Sequence, residues 1–237
     1  LQTILAPVIT SLLFFCIFAL AFGGIDRGLS GEGLGNITYL QFLAPGLIMM
    51  TMVQNAFANS SSSLIIAKVQ GNIVDILMPP LSSAEIFIGY VIGGILRGLL
   101  IGILATFVLS LFVSMSISSL WMILVYSVLG TTLLSSLGLV GGMWAEKFDH
   151  IAAITNFVVT PLTFLSGTFY SIQQLPEFWG FLAHFNPFFY MIDGFRAGFI
   201  GYAEGDIITG LITLLGANLV LWTLGMWLLS TGYKIKS

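Results

Sequence analysis

Long apolar runs alternate with short polar breaks along this chain. Six runs, at positions 4–22, 39–59, 86–113, 120–145, 151–169 and 207–230, each hold about 20 residues or more. A helix of roughly that length crosses the hydrocarbon core of a bilayer. None of the runs alternates with the period of two that a membrane β-strand needs. In lipid every backbone polar group needs an internal partner, so each run predicts a transmembrane helix.

The breaks differ in character. Positions 23–38 form a polar, glycine-rich loop, 60–85 a longer mixed segment, 114–119 a tight turn and 146–150 a short charged turn. Positions 170–206 are unusual, with Phe178, Trp179, Phe181, Phe185, Phe188, Phe189 and Tyr190 around the breaks at Pro176 and Pro187. Asn186-Pro187 is a turn signal between two apolar stretches of about ten residues, each too short to span. The pattern predicts a pair of short re-entrant or interfacial helices at about 173–200. A further span is disfavoured, because Pro187, Asp193 and Arg196 would fall in its interior. The two halves share no pattern of broken helices, which argues against an inverted-repeat secondary transporter.

Composition supports the membrane assignment. Of 237 residues, 57% are hydrophobic and 7% charged, and mean hydropathy is +1.04. Soluble domains carry roughly 25% charge. The expected fold is therefore all-α and polytopic: one domain over 1–237 with six transmembrane helices. A net charge of −3 and the lack of a basic stripe exclude nucleic acid as a partner and leave membrane lipid. The single cysteine, Cys16, sits in an apolar run and reads as packing. The first run lacks a basic leader and a small-residue cleavage site, so it reads as a span. The chain starts at Leu1 and not Met, which suggests that a natural N-terminal segment precedes it.

Charge sets the expected orientation. With six spans the termini share a side, and Lys68, Lys147, Lys234 and Lys236 lie on it. Arg27 and Arg196 lie opposite, with Asp26, Glu32, Glu177, Asp193, Glu204 and Asp206. Basic residues favour the cytoplasmic side, so both termini are expected in the cytoplasm.

Several chemistries are missing from the sequence. No lysine follows a glycine, so the chain has no Gly-x4-Gly-Lys-Ser/Thr loop to cradle phosphates. A rhomboid-type protease needs Gly-x-Ser-Gly, and Phe164-Leu165-Ser166-Gly167 has Phe at the first position. No expected span holds an aspartate for an aspartyl protease. His150 and His184 lack metal-ligand spacing. An enzyme acting on its own is not indicated.

Four features carry functional expectations. In the 68–80 segment Ile73, Val74, Ile76 and Leu77 give an apolar face at helical spacing, and Pro79-Pro80 stops the helix. Ser82 or Ser83 caps the next helix, and Glu85 falls in its first turn. Such a helix, held between two spans, either docks into a partner's groove or lies on the membrane surface. The third run carries Gly89, Gly93, Gly94, Gly98 and Gly102, and the fourth Gly138 and Gly142, at spacings that let helix backbones approach; intrachain packing is the expectation. Arg97 lies well inside a span, where a charge is costly and has a structural or functional reason. Gln54, Asn55, Asn59 and Asn156 are uncharged polar residues within spans, suited to a pathway or to interhelical bonds.

The order of these features resembles the ABC-2 type permease family, the membrane subunit of many bacterial exporters. Three pieces carry the resemblance. One is Phe42-Leu43-Ala44-Pro45-Gly46-Leu47, opening the second span. Another is the 72–85 loop, with its proline and acidic residue before the third span. The most specific is Thr160-Pro161-Leu162-Thr163-Phe164-Leu165-Ser166-Gly167-Thr168-Phe169-Tyr170, followed by Leu175-Pro176, Asn186-Pro187 and Gly194-Phe195-Arg196. The likeness covers essentially the whole chain, without the family's cytoplasmic N-terminal helix.

The resemblance implies six spans, a cytoplasmic coupling helix and short extracellular re-entrant helices before the last span. It implies a homodimer or heterodimer working with two ATP-binding cassette subunits in the bacterial cytoplasmic membrane. ATP and magnesium would be bound by those partners, and this chain would hold no cofactor or metal. Docking would fall on Lys68, Gln70, Gly71, Asn72, Ile73, Asp75, Ile76, Leu77 and Pro79. Spans two and five would line the path, placing Gln54, Asn55, Asn59, Asn156 and Thr160 near it. The cargo would be amphipathic: a lipid, glycan or drug. The competing expectations are an ATP-independent channel or secondary transporter, and a membrane scaffold.

Overall fold

A computed structural model describes residues 2–22 and 37–232, and every regular element among them is helical. Asp26, Arg27, Glu32, Lys234 and Lys236 lie outside the described residues. In chain order the helices are α1 (Gln2–Phe22), α2 (Tyr39–Val69), the short α3 (Ile73–Leu77), α4 (Ser83–Ser110) and α5 (Leu120–Trp144). They continue with α6 (Phe148–Ile154), α7 (Thr160–Phe164), α8 (Glu177–His184), α9 (Pro187–Ile200) and α10 (Ile207–Thr231). Helices α1, α2, α4, α5 and α10 are long and apolar enough to cross a membrane.

The run expected as the fifth span folds differently. Helices α6 and α7 are joined through a π-helical turn at Thr155–Val159, in pieces of seven, five and five residues. Helical torsions persist across both junctions, so the segment is continuous. The turn has a local cause. Pro161 has no N–H, and its ring crowds the carbonyl four residues back, so the helix widens just upstream. At about 1.5 Å per residue the segment spans roughly 25 Å.

Helix α2 is the axis of the fold. Its most apolar stretch is 78% buried within the chain, against 17% for α1 and α10. It packs on α5, α4, α9 and α1. The outer helices present apolar stripes, as in Leu5, Ile9, Leu13 and Ile17 on α1, spaced one turn apart and exposed.

The second span was expected to end at 59, yet α2 runs on to Val69 through four serines. Three of these serines bond back to their own helix, Ser62 Oγ to Asn59 O at 3.3 Å. Ser60 Oγ donates to Ala56 O at 3.2 Å and Ser61 Oγ to Phe57 O at 2.8 Å. Ser135 Oγ of α5 can donate its one hydrogen to Ser60 Oγ or to Val91 O of α4, the latter at 3.0 Å. Three helices are thus knotted by buried hydroxyls. Glycine makes the approach possible: a Cβ at Gly138 would collide with the carbonyl oxygen of Phe57, and one at Gly94 with Ser135 and Ser60. Gly94, Gly98, Gly102, Gly138 and Gly142 therefore serve packing inside the chain, as expected, whereas Gly89 faces open space.

Caps fix the helix ends. Thr38 forms a capping box with Gln41, and Ser82 forms one with Glu85. Asp206 caps α10, and the Thr209 hydroxyl and amide hold its carboxyl below the usual carboxylate range. Asn186 caps α9 by accepting from Phe188 N at 3.0 Å, and its Nδ2 donates to Leu162 O at 2.7 Å.

The two short helices expected near 173–200 are α8 and α9, broken at Asn186-Pro187. They lie at the end of the molecule opposite α3, where Ser118 N and Ser119 N bond Gly198 O. Twelve consecutive residues of α9 are buried, while α8 exposes Phe178 and Phe181, and Phe185 just after it is exposed too. Arg196 is only 1% exposed. Its Nη2 donates to Gly167 O at 2.7 Å, and its guanidinium lies 3.6 Å over the Phe42 ring. Asp193 accepts from Glu204 N and Gly205 N, and Glu204 accepts from Ile172 N. Helix α9 thereby latches the loops on both of its sides.

Candidate functional site

Two regions stand out: an elbow at α3 and a polar cleft between α1 and α2. The elbow begins where α2 ends. Gly71 adopts a left-handed conformation, φ 76°, and turns the chain into α3. The Ser82 capping box then starts α4. Only the residues from Gln70 to Ser82 separate two membrane-length helices, so the elbow is tied closely to both. Ile73 turns inward against the small core around Leu64 and Phe87. Val74 and Met78 are 55% and 75% exposed, and Val69, Asp75, Pro79 and Leu81 also face outward. Gln70, Gly71 and Asn72 are exposed, and Ile76 is half-buried.

Lys68 has an additional task. Its Nζ donates to Gly142 O at 3.0 Å, to Met143 O, and to Ala145 O at 3.1 Å. These are carbonyls at the C-terminal end of α5, which lack intrahelical partners and carry the negative end of the helix dipole. An ammonium has three donors, and here each finds a carbonyl. Lys68 thus fixes the end of α2, and with it the elbow, to the end of α5.

The cleft has a volume of about 300 Å³. Its polar side carries Thr10 and Ser11 of α1 and Thr51, Gln54 and Asn55 of α2; Phe14, Leu47 and Met50 form an apolar wall. Phe14 and Phe18 contact Phe169, which stacks on Phe164, at the end away from α3. Towards α3 lies Arg97. Its Nη1 donates to Asn59 Oδ1 at 3.0 Å and its Nη2 to Thr3 O at 3.2 Å. Pro7 explains the second bond: it has no N–H to offer the carbonyl four residues back, which is that of Thr3. Arg97 therefore ties α1, α2 and α4 together.

Of the expected pathway residues, Gln54 and Asn55 meet in the cleft, and Asn59 lies one turn beyond. Asn156 and Thr160 are elsewhere, on the π turn and at the start of α7. Asn156 is exposed beside Phe157, which is 81% exposed. Thr10, Ser11 and Thr51 were not expected from the sequence. Their signal was a pair of hydroxyls in an apolar first run and a hydroxyl three residues before Gln54, a spacing that shares a helix face.

A model of the ABC-2 type transporter family matches residues 1–200. The chain belongs to the ABC-2 type transporter family. It is 41% identical to the inner membrane transport permease YadH of Escherichia coli K12 over 94% of this chain and 87% of the relative. It is also 27% identical to nodulation protein J of Rhizobium leguminosarum bv. viciae, over 75% of this chain and 71% of the relative. As an ABC-2 transporter, the protein is a multi-pass membrane protein whose membrane-crossing helices carry no metal-binding cluster among the described residues.

Proposed function

We propose that this chain is the membrane half of an ATP-driven exporter. It moves an amphipathic substrate out of the cytoplasm or inner leaflet of a bacterial inner membrane. The observation that carries this reading is the elbow. A five-residue helix with exposed Val74, Asp75 and Met78 sits in a short joint between two membrane-length helices. Such a projection suits a groove on another protein. The partner is a pair of ATP-binding subunits, which hold the nucleotide and magnesium.

The working unit is a homodimer. Asn156 and Phe157, exposed on the π turn, suit a contact with the second copy, since a polar side chain gains little by facing lipid. The α6–α7 segment is the sixth span, thinning the bilayer locally to match its length. Helices α8 and α9 are re-entrant or interfacial on the outer face, and both termini are cytoplasmic. Nucleotide-driven closure of the partners pushes α3. That push shifts α2 against α4 and strains the Arg97–Asn59 bond below the cleft. The path runs along Gln54, Asn55 and Asn59 towards Asn156 and Thr160.

Affinity purification of the chain from its native membrane, in mild detergent, is expected to bring an ATP-binding subunit with it in equal amount. A chain that purifies without one, and moves solute in liposomes without nucleotide, is instead a channel or secondary transporter.

A further inference from the structure

We infer that the α1–α2 cleft selects an uncharged, hydroxyl-bearing head group, with the attached apolar chain lying along its Phe14, Leu47 and Met50 wall. This deepens the export reading, because Gln54 and Asn55 belong to the proposed path.

The inference rests on a count of donors and acceptors. Thr10 Oγ1 donates to Ala6 O at 2.9 Å, and Thr51 Oγ1 donates to Leu47 O at 2.7 Å. A hydroxyl has one hydrogen, so both oxygens are left as acceptors. Asn55 Nδ2 donates to Thr51 O at 2.9 Å, leaving its carbonyl oxygen free. Gln54 makes no hydrogen bond with any described residue, and the buried Ser11 hydroxyl has no partner. Gln54 keeps two free N–H groups, and Asn55 and Ser11 keep one free hydrogen each, so the polar wall offers donors and acceptors side by side.

Charge narrows the choice further. A phosphate or carboxylate accepts hydrogen bonds and donates none, so it could use the free amide and hydroxyl hydrogens but would leave the Thr10, Thr51 and Asn55 oxygens unmet. The lining holds no Lys or Arg to neutralise it, and Arg97 is turned to Asn59 and Thr3. An ammonium would meet no carboxylate in the lining. Desolvating either charge without a counter-charge is costly. A neutral polyol, whose hydroxyls both donate and accept, can meet both kinds of group and carries no such penalty. The volume, about 300 Å³, is at the low end for small-molecule pockets, which suits a single ring-sized head.

The test is equilibrium binding to the full chain in phosphatidylcholine nanodiscs, corrected for empty discs. The probes are tritiated decyl glucoside, decyl phosphate and decyltrimethylammonium, which share one chain length. Decyl glucoside is expected to bind saturably, at least tenfold more tightly than either charged probe. Thr51→Val with Gln54→Leu should abolish that preference. Gln54→Glu, which keeps the shape and adds a carboxylate, should shift it towards decyltrimethylammonium. Equal or tighter binding of decyl phosphate overturns the inference. So does an unchanged preference in the folded variants, or no saturable binding of any probe. Binding is read without ATP or partner, so failure of the export reading is seen separately, in the purification above.

Discussion

Replacing Val74 with Asp and Asp75 with Lys is expected to uncouple the transporter while leaving its fold intact. Both side chains are exposed on α3, and neither is in the described core. The chain on its own should tolerate both changes, as surface substitutions usually cost within about 0.5 kcal/mol. The complex should not. At a docked surface the double change adds a charge where Val74 offers apolar contact and reverses the sign at Asp75. Central interface residues are worth about 2 kcal/mol or more, roughly 30-fold in affinity. Substrate-stimulated ATP hydrolysis by the reconstituted complex should fall by at least tenfold, while the melting temperature of the isolated chain stays constant. Normal stimulation in the double variant would remove α3 from the docking surface.

Arg196→Leu is expected to cost the fold itself. The arginine is buried, donates to Gly167 O, stacks on Phe42 and sits near the buried Asp193 carboxylate. Truncation removes a charge-assisted bond, a desolvated cation–π contact and the cation that offsets Asp193. Removing one partner from a buried set of charges costs about 3–5 kcal/mol. For a chain of this length each kcal/mol lowers the melting point by roughly 2–4 °C. The detergent-solubilised variant should therefore melt roughly 10 °C or more below the parent, or fail to express as a monodisperse species. Lysine should rescue only in part, because an ammonium lacks the planar fork that both bonds and stacks. A melting point within a few degrees of the parent would show that α9 does not depend on this latch.

Much of this architecture can be read from hydropathy, because a membrane-crossing helix must be apolar over a fixed length. That reading finds α1, α2, α4, α5 and α10, and proline and asparagine chemistry finds the break between α8 and α9. Other features escape for identifiable reasons. Ser60 and Ser61 read as the end of a span, but each bonds back to its own helix, so α2 continues to Val69. The π turn before Pro161 depends on how a ring crowds the preceding turn, which composition does not register. Lys68 reads as part of a docking surface because the family resemblance assigns that role to its sequence neighbours. Its use as a cap depends on where the carbonyls of α5 end, 74 to 77 residues away. The cleft is the least legible element. Ser11 and Thr51 become neighbours only once α1 lies against α2.

The central claim is that a separate ATP-binding subunit grips this chain at α3, and site-specific cross-linking tests it most directly. A photo-reactive residue is placed at Val74 on the elbow, and in a second preparation at Phe157 on the π turn. Both sites are exposed, so neither insertion should disturb the core. Irradiation in native membranes is expected to join Val74 to an ATP-binding subunit, while Phe157 yields only a second copy of this chain or lipid. If Val74 yields no such adduct when the ATP-binding subunit co-purifies, or if Phe157 yields it instead, the elbow is not the point of attachment.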